Sequence, residues 1–99
     1  MRNVPESDVT SFETYLVEND EVRKIETYVQ QLMECEDEEC CTEILETYAD
    51  FEPSKCFVHY VPRGKVFEGV DEGRRILVVL IRRDTELKNV LSSLGISQP

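Results

Sequence analysis

Residues 74–83 read RRILVVLIRR, a run of six consecutive apolar residues between two pairs of arginines. Four of the six apolar side chains are β-branched, and an extended strand of this sequence has no polar face. A strand that is apolar on both faces needs cover on both sides, which is typical of the middle of a sheet. The run is also far shorter than the ~20 apolar residues of a membrane-spanning helix. It therefore predicts the central strand of a sheet.

Two more strands are predicted upstream of this central strand. Cys56–Val61, with the sequence CFVHYV, is rich in aromatic and β-branched residues, and Lys65–Glu68 follows after a turn that contains Pro62 and Gly64. The segment EGVDEG supplies a second turn before the central strand begins. Because short turns of this kind join antiparallel neighbours, this half of the chain predicts a three-stranded antiparallel meander.

A C-terminal helix is predicted after the central strand. Asp84 or Thr85 fits the cap of its first turn, and Gly95 fits the residue that follows its last turn. Its apolar residues recur at helical spacing and are Leu87, Val90, Leu91 and Leu94.

The N-terminal half predicts helices. Residues 7–51 contain no glycine or proline. Thr10 and Glu13 fit a capping box, and Asn19 or Asp20 fits the cap of a second helix. Three apolar stripes follow helical spacing: Val9, Phe12, Tyr15 and Leu16; then Val22, Ile25, Val29, Leu32 and Met33; then Cys41, Ile44, Leu45, Tyr48 and Phe51.

The helical half is predicted to break once and to end at a proline. The acids of residues 34–39 separate the second stripe from the third, which favours a break over one long helix and leaves two or three helices open. Pro53 ends this half. The predicted fold is a single α+β domain over residues 1–99, in which the helical half packs on the three-stranded meander and the C-terminal helix. The predicted core consists of Phe12, Ile25, Val29, Leu32, Ile44, Tyr48, Val58, Ile76, Val78, Leu80, Leu87 and Leu91.

The charge of the chain is divided unevenly between the two halves. The net charge is −10, but residues 1–54 carry 16 acids and 3 bases, whereas residues 55–99 carry 5 acids and 8 bases. An acidic surface repels duplex DNA and anionic membranes and attracts basic proteins. We therefore expect a basic protein partner, no direct binding of duplex DNA and no membrane partner, and the sequence leaves a homo-oligomer open. The predicted partner-binding residues are Glu34, Glu36, Asp37, Glu38, Glu39, Glu43 and Glu46.

The four cysteines do not have the spacing of a structural zinc site. Cys35, Cys40, Cys41 and Cys56 lack the two close pairs that such sites commonly use. Cys41 falls on an apolar helical stripe and Cys56 on a predicted strand, so we interpret the cysteines as buried, reduced thiols. A disulfide or redox pair is the weaker alternative and a metal site the weakest. The N-terminus has no apolar signal segment, which predicts an intracellular location, cytoplasmic or nuclear.

Two pairs of arginines bracket the central strand. Arg74 and Arg75 precede its apolar run, and Arg82 and Arg83 follow it. The favoured interpretation is that these arginines neutralise the acidic helices packed near them. The alternative is an anion-binding patch for phosphate or an acidic peptide.

The sequence contains no recognisable catalytic constellation. His59 is the only histidine, and no nucleophile or carboxylate accompanies it locally; no phosphate-binding glycine loop or metalloprotease motif occurs. We expect no catalytic residue, metal or cofactor. The favoured hypothesis is a small non-enzymatic regulatory or adaptor module that binds a basic partner through its acidic helices. The alternatives are a nucleic-acid mimic that inhibits a DNA- or RNA-binding protein and, least favoured, a thiol- or metal-dependent enzyme.

Overall fold

The computed structural model describes residues 11–95, which form a five-stranded antiparallel sheet and three helices. The strands are β1 (Phe12–Glu18), β2 (Glu21–Ile25), β3 (Lys55–Val61), β4 (Gly64–Asp71) and β5 (Arg74–Arg82). The helices are α1 (Val29–Glu34), α2 (Glu38–Ala49) and α3 (Leu87–Ser93).

The run at residues 74–83 forms β5, the middle strand of the sheet. The strand order is β2-β1-β5-β4-β3, and every neighbouring pair is antiparallel. All six apolar residues from Ile76 to Ile81 are buried. The prediction of a central strand is therefore confirmed, and the predicted meander corresponds to β3, β4 and β5.

The predicted helices before residue 26 are wrong, because this segment forms the hairpin of β1 and β2. The hairpin is closed by Asn19 and Asp20, and Glu18 pairs with Glu21 across the two-residue turn. Asn19 has φ +56°, a left-handed conformation that asparagine tolerates better than most residues. Asparagine and aspartate favour turns for the same reason that they favour helix caps, since their side chains bond nearby backbone. The predicted first cap at Thr10 lies outside the described residues.

The predicted architecture, a helical half on a three-stranded meander, is therefore wrong. The hairpin joins the meander because β1 pairs along β5, from Phe12 opposite Arg82 to Glu18 opposite Ile76. Only the later part of the second apolar stripe is helical, and it forms the short helix α1. The predicted break at residues 34–39 is confirmed, since α1 ends at Glu34 and α2 begins at Glu38.

The two faces of the sheet hold separate apolar clusters. The chain leaves β2 at one edge, crosses one face through α1 and α2, and enters β3 at the opposite edge. The cluster beneath these two helices includes Leu32, Ile44, Phe67 and Leu80, and α3 covers a second cluster that includes Val79 on the other face. Gly69 of β4 allows close contact with α2, because an added Cβ would overlap Leu45 Cδ1.

The predicted core is partly confirmed. The fully buried members are Leu32, Ile44, Ile76, Val78, Leu80 and Leu91. The members that are only partly buried, at the borders of the two clusters, are Phe12, Ile25, Val29, Tyr48, Val58 and Leu87. At the end of the described chain, Gly95 has φ +77°, as expected for the residue that follows a helix.

Candidate functional site

The seven predicted partner-binding acids are all exposed and lie on α1, on α2 and in the turn between them. We call this set the acidic surface; it comprises Glu34, Glu36, Asp37, Glu38, Glu39, Glu43 and Glu46. Glu34 is the last residue of α1, Glu36 and Asp37 form the turn between the helices, and the remaining four belong to α2. All seven residues are exposed.

On α2 the carboxylates are separated from the buried face by the geometry of the helix. At about 100° per residue, Glu39, Glu43 and Glu46 fall within about 60° of one another, opposite the buried Cys41 and Ile44. The three glutamates are spaced i, i+4 and i, i+3, so they are neighbours on the helix surface. Like charges at this spacing destabilise a helix by about 0.2–0.5 kcal/mol per pair. The row is therefore an electrostatic cost to the fold.

No carboxylate of the acidic surface forms an ion pair with a basic side chain within residues 11–95. Glu34 accepts a hydrogen bond of 2.8 Å from the Gln30 amide, which is neutral. Asp37 has a structural role, since its Oδ1 accepts a hydrogen bond of 2.8 Å from the backbone N–H of Cys40 and caps α2. Carboxylates without an ion-pair partner in this range can attract lysine and arginine side chains from another molecule.

A lysine from the sheet fixes the turn that carries the acids. Lys65 Nζ donates hydrogen bonds to the carbonyl oxygens of Met33 and Cys35, the latter at 3.0 Å. Burial lowers the pKa of Lys65, and the charge of Glu36 opposes this shift. The ammonium group thus satisfies carbonyls at the C-terminal end of α1, where helical hydrogen bonds run out.

Lys65→Met tests this anchoring role. The change keeps an unbranched apolar chain but removes the donor to two carbonyls, and we expect it to lower the free energy of unfolding by about 1–3 kcal/mol. Urea unfolding measures the change, with Lys88→Met as the control because Lys88 is exposed on α3. Equal stability of the two variants would contradict the anchoring role.

The cysteines are paired, so the interpretation as reduced thiols is wrong. Cys35 is bonded to Cys40 and Cys41 to Cys56, and none of the four is free. The first disulfide closes the acidic turn, and the second joins α2 to β3. The predicted burial of Cys41 and Cys56 is confirmed. Because α2 packs directly on β3, the two buried sulfur atoms meet and form a disulfide.

The arginines neutralise acids of strands and turns, not of the helices. Arg74 donates to Glu18 of β1 at 2.8 Å, and Arg75 donates to Glu68 of β4. At the other end of β5, Arg82 lies 3.9 Å from Asp84, and Arg83 lies 3.8 Å from Glu13. The two arginine pairs are eight residues apart, about 26 Å at ~3.3 Å per residue. They therefore do not form one continuous anion patch.

Sequence reasoning missed several residues near these features. Asp50 and Glu52 continue the acidic surface beyond the end of α2 and line a shallow depression with Glu46. His59 Nε2 lies 2.7 Å from Glu68 Oε1, a carboxylate that the β3–β4 register places diagonally across the strands. Asp50 and Glu52 carried a usable signal, because they flank Phe51, the last residue of the third apolar stripe. The His59 contact carried none, since it depends on strand register.

Residues 11–95 contain neither a metal-binding cluster nor a membrane-spanning helix. No group of three or more histidine, cysteine, aspartate or glutamate side chains in this range is arranged to hold a metal ion. No helix in this range has both the length and the apolar character needed to cross a lipid bilayer.

Comparison of the chain with protein-family models, with curated proteins and with solved structures found no match.

Proposed function

We propose that this chain is a small, non-enzymatic regulatory or adaptor module that binds a basic protein through its acidic surface. The observation that carries the proposal is a row of exposed carboxylates on α2 that form no ion pair within residues 11–95, while basic side chains in this range pair with other acids. A row of like charges lowers the stability of α2, so its presence supports a role in binding a partner.

The rigidity of the acidic surface supports the same proposal. The N-cap of Asp37, the Cys35–Cys40 disulfide and the hydrogen bonds of Lys65 all fix the segment between α1 and α2. A surface that is ordered before binding loses less conformational entropy when the partner binds. An ordered backbone also holds the acidic residues at defined positions, against which lysines and arginines of a partner can be matched.

The triple variant Glu39→Gln, Glu43→Gln, Glu46→Gln tests the proposal. It removes three charges from α2 and retains side-chain size and helix propensity. We expect affinity for the partner to fall about tenfold in low salt, since each exposed pair contributes about 0.2–1 kcal/mol. The difference should shrink as added salt screens the charges. Quantitative mass spectrometry of proteins captured from cell extract identifies the partner, and titration of the purified partner gives the affinity.

A control variant separates the acidic surface from net charge. Glu21→Gln, Glu26→Gln, Glu72→Gln removes the same number of charges from exposed acids that form no ion pair within residues 11–95. We expect this variant to bind as the wild type does and the α2 variant to unfold at an equal or higher temperature than wild type. Equal weakening by both triple variants would show that only net charge matters and would overturn the proposal.

A nucleic-acid mimic is the second candidate. The rise along α2 separates Glu39 from Glu43 by about 6 Å and Glu43 from Glu46 by about 4.5 Å, a linear row of negative charge like a phosphate backbone. The binding titration is therefore repeated with duplex DNA and with RNA. Displacement of the chain by either nucleic acid favours the mimic, and retention favours the adaptor.

The compartment belongs to the proposal as well. The intracellular location, cytoplasmic or nuclear, stays a prediction based on the N-terminal sequence. The two disulfides oppose it, because disulfides persist mainly in oxidising compartments.

A further inference from the structure

In the part of the chain that the structure describes, the outer edge of β3 has unpaired backbone groups. β3 is the last strand of the sheet, with β4 as its only neighbour among the described strands. Val61 pairs with Gly64 across a two-residue turn, so these two residues exchange backbone hydrogen bonds, as do alternate pairs along the strands. The alternation directs the backbone groups of Cys56, Val58 and Tyr60 away from β4. Within residues 11–95, no loop or side chain forms a hydrogen bond with them.

The two edges of the sheet differ in how they are protected. At the opposite edge, β2 carries the charged Glu21, Arg23 and Lys24 in a strand of five residues, which is typical protection against pairing with another strand. In β3, by contrast, residues 56–61 contain no acid, lysine, arginine, proline or glycine. Phe57 is 46% exposed and Tyr60 62% exposed, on opposite faces of this edge. An edge strand whose only lysine is its first residue, and which exposes aromatic side chains, is suited to accept another strand.

We propose that β3 pairs with β3 of a second copy of this chain, antiparallel about a two-fold axis at Val58. This register uses the full strand, since Lys55 then faces Val61 of the second copy. It also joins the backbone groups that are directed outward, because Val58 meets Val58 and Cys56 meets Tyr60. The two five-stranded sheets become one ten-stranded sheet.

The side chains of β3 are complementary to themselves in this register. Phe57 lies opposite His59 of the second copy, an aromatic cross-strand pair on the face away from α2. The only lysine of the strand, Lys55, lies opposite an apolar residue, so no two like charges are directly paired. The symmetric contact uses the same patch on both chains, as two-fold dimers require.

The dimer and the basic partner respond to salt in opposite directions. Two chains of net charge −10 repel one another, so added salt strengthens β3 pairing. Added salt weakens the binding of a basic protein to the acidic surface. The dimer uses β3, whereas the proposed function uses α2 and the preceding turn, so either can fail without the other.

The test is the oligomeric state of the full chain, with its disulfides intact, by sedimentation velocity in low and high salt. We expect a dimer that strengthens with concentration and with salt. Tyr60→Lys places a charge on the pairing edge and is expected to raise the dimer dissociation constant more than tenfold. Tyr28→Lys is the matched control, because Tyr28 is 65% exposed in the loop before α1. Far-UV circular dichroism verifies the fold of each variant.

Hydrogen exchange locates the interface independently of any substitution. In the dimer, the amides of Val58 and Tyr60 should become protected as concentration rises, while those of β2 should not change. If the wild-type chain stays monomeric in high salt, the proposal is overturned, and an extended segment of another protein becomes the favoured partner of the β3 edge. A dimer in which these amides remain unprotected, or that Tyr60→Lys leaves intact, overturns it as well.

Discussion

Leu80→Ala is expected to lower the free energy of unfolding by about 2–5 kcal/mol, as removal of a buried leucine side chain does when the cavity cannot collapse. Leu80 is 1% exposed and lies in β5, so its neighbours belong to strands on both sides and to the helices above. Movement of any one element to fill the cavity is opposed by its other contacts. Chemical denaturation of wild type and variant under the same conditions measures the loss.

Leu87→Ala is the control for this prediction. Leu87 is the first residue of α3 and only partly buried, so less apolar area is lost and the cost should stay below about 2 kcal/mol. If Leu80→Ala changes the free energy of unfolding by less than about 0.5 kcal/mol, the usual range for surface positions, the central position of β5 in the sheet is contradicted.

The second large effect is expected from the disulfides. Replacing Cys41 and Cys56 by alanine should cost about 3 kcal/mol, and replacing Cys35 and Cys40 about 2 kcal/mol. The difference follows from the number of residues between the bonded cysteines, since a longer closed loop restricts the unfolded chain more. Denaturation of the two double variants and of wild type, without reductant, gives both values.

A thiol reductant supplies the control for the disulfide prediction. Reduced wild type should lose the stability that both bonds contribute. The stability of a variant in which all four cysteines are replaced by alanine should not change when reductant is added. Alkylation followed by mass spectrometry confirms that Cys35, Cys40, Cys41 and Cys56 are reduced in the treated sample. Wild type that is fully reduced and equally stable would contradict the structural role of both bonds.

The position of β5 could be predicted from sequence because its apolar run fits only a strand with neighbours on both sides. The same run also indicates that a fourth strand pairs with β5, which the helical prediction for the N-terminal half did not take into account. As the third strand of a meander, β5 would lie at an edge, and its two apolar faces and uncharged centre are unsuited to an edge. A further strand therefore had to come from the N-terminal half.

The strand β1 was mistaken for a helix because its apolar residues satisfy both periods. Phe12, Tyr15 and Leu16 have helical spacing, but Phe12 and Leu16 also share one face of a strand, and Tyr15 and Val17 share the other. Strands inside a sheet are covered on both faces, which removes the alternation of polar and apolar residues that would distinguish them.

The exposure of the acidic surface was predictable, whereas the cystine pairing was not. A dense run of charge next to an apolar helical stripe is solvated in most proteins, and all seven acids are exposed. The pairing of Cys41 with Cys56 depends on α2 packing over β3, a contact between elements that local sequence does not encode. The N-cap at Asp37 had a local signal, since an aspartate precedes Glu38, Glu39 and the apolar stripe.

The pairing of the first strand with the last has a consequence for the order of folding during synthesis. Phe12 pairs with Arg82, so β1 has no inner neighbour until β5 has left the ribosome. Synthesis of the ~70 residues from Phe12 to Arg82 takes about 4–14 s at ~5–20 residues per second. During this time the hairpin of β1 and β2 exposes the unpaired edge of β1 and its apolar side chains. Contacts this distant in sequence also slow folding, because the loop between them must close first. The nascent chain is therefore vulnerable to aggregation from the emergence of β1 until β5 is available to pair with it, and a chaperone that shields Tyr15 and Val17 during this interval should raise the yield of folded protein.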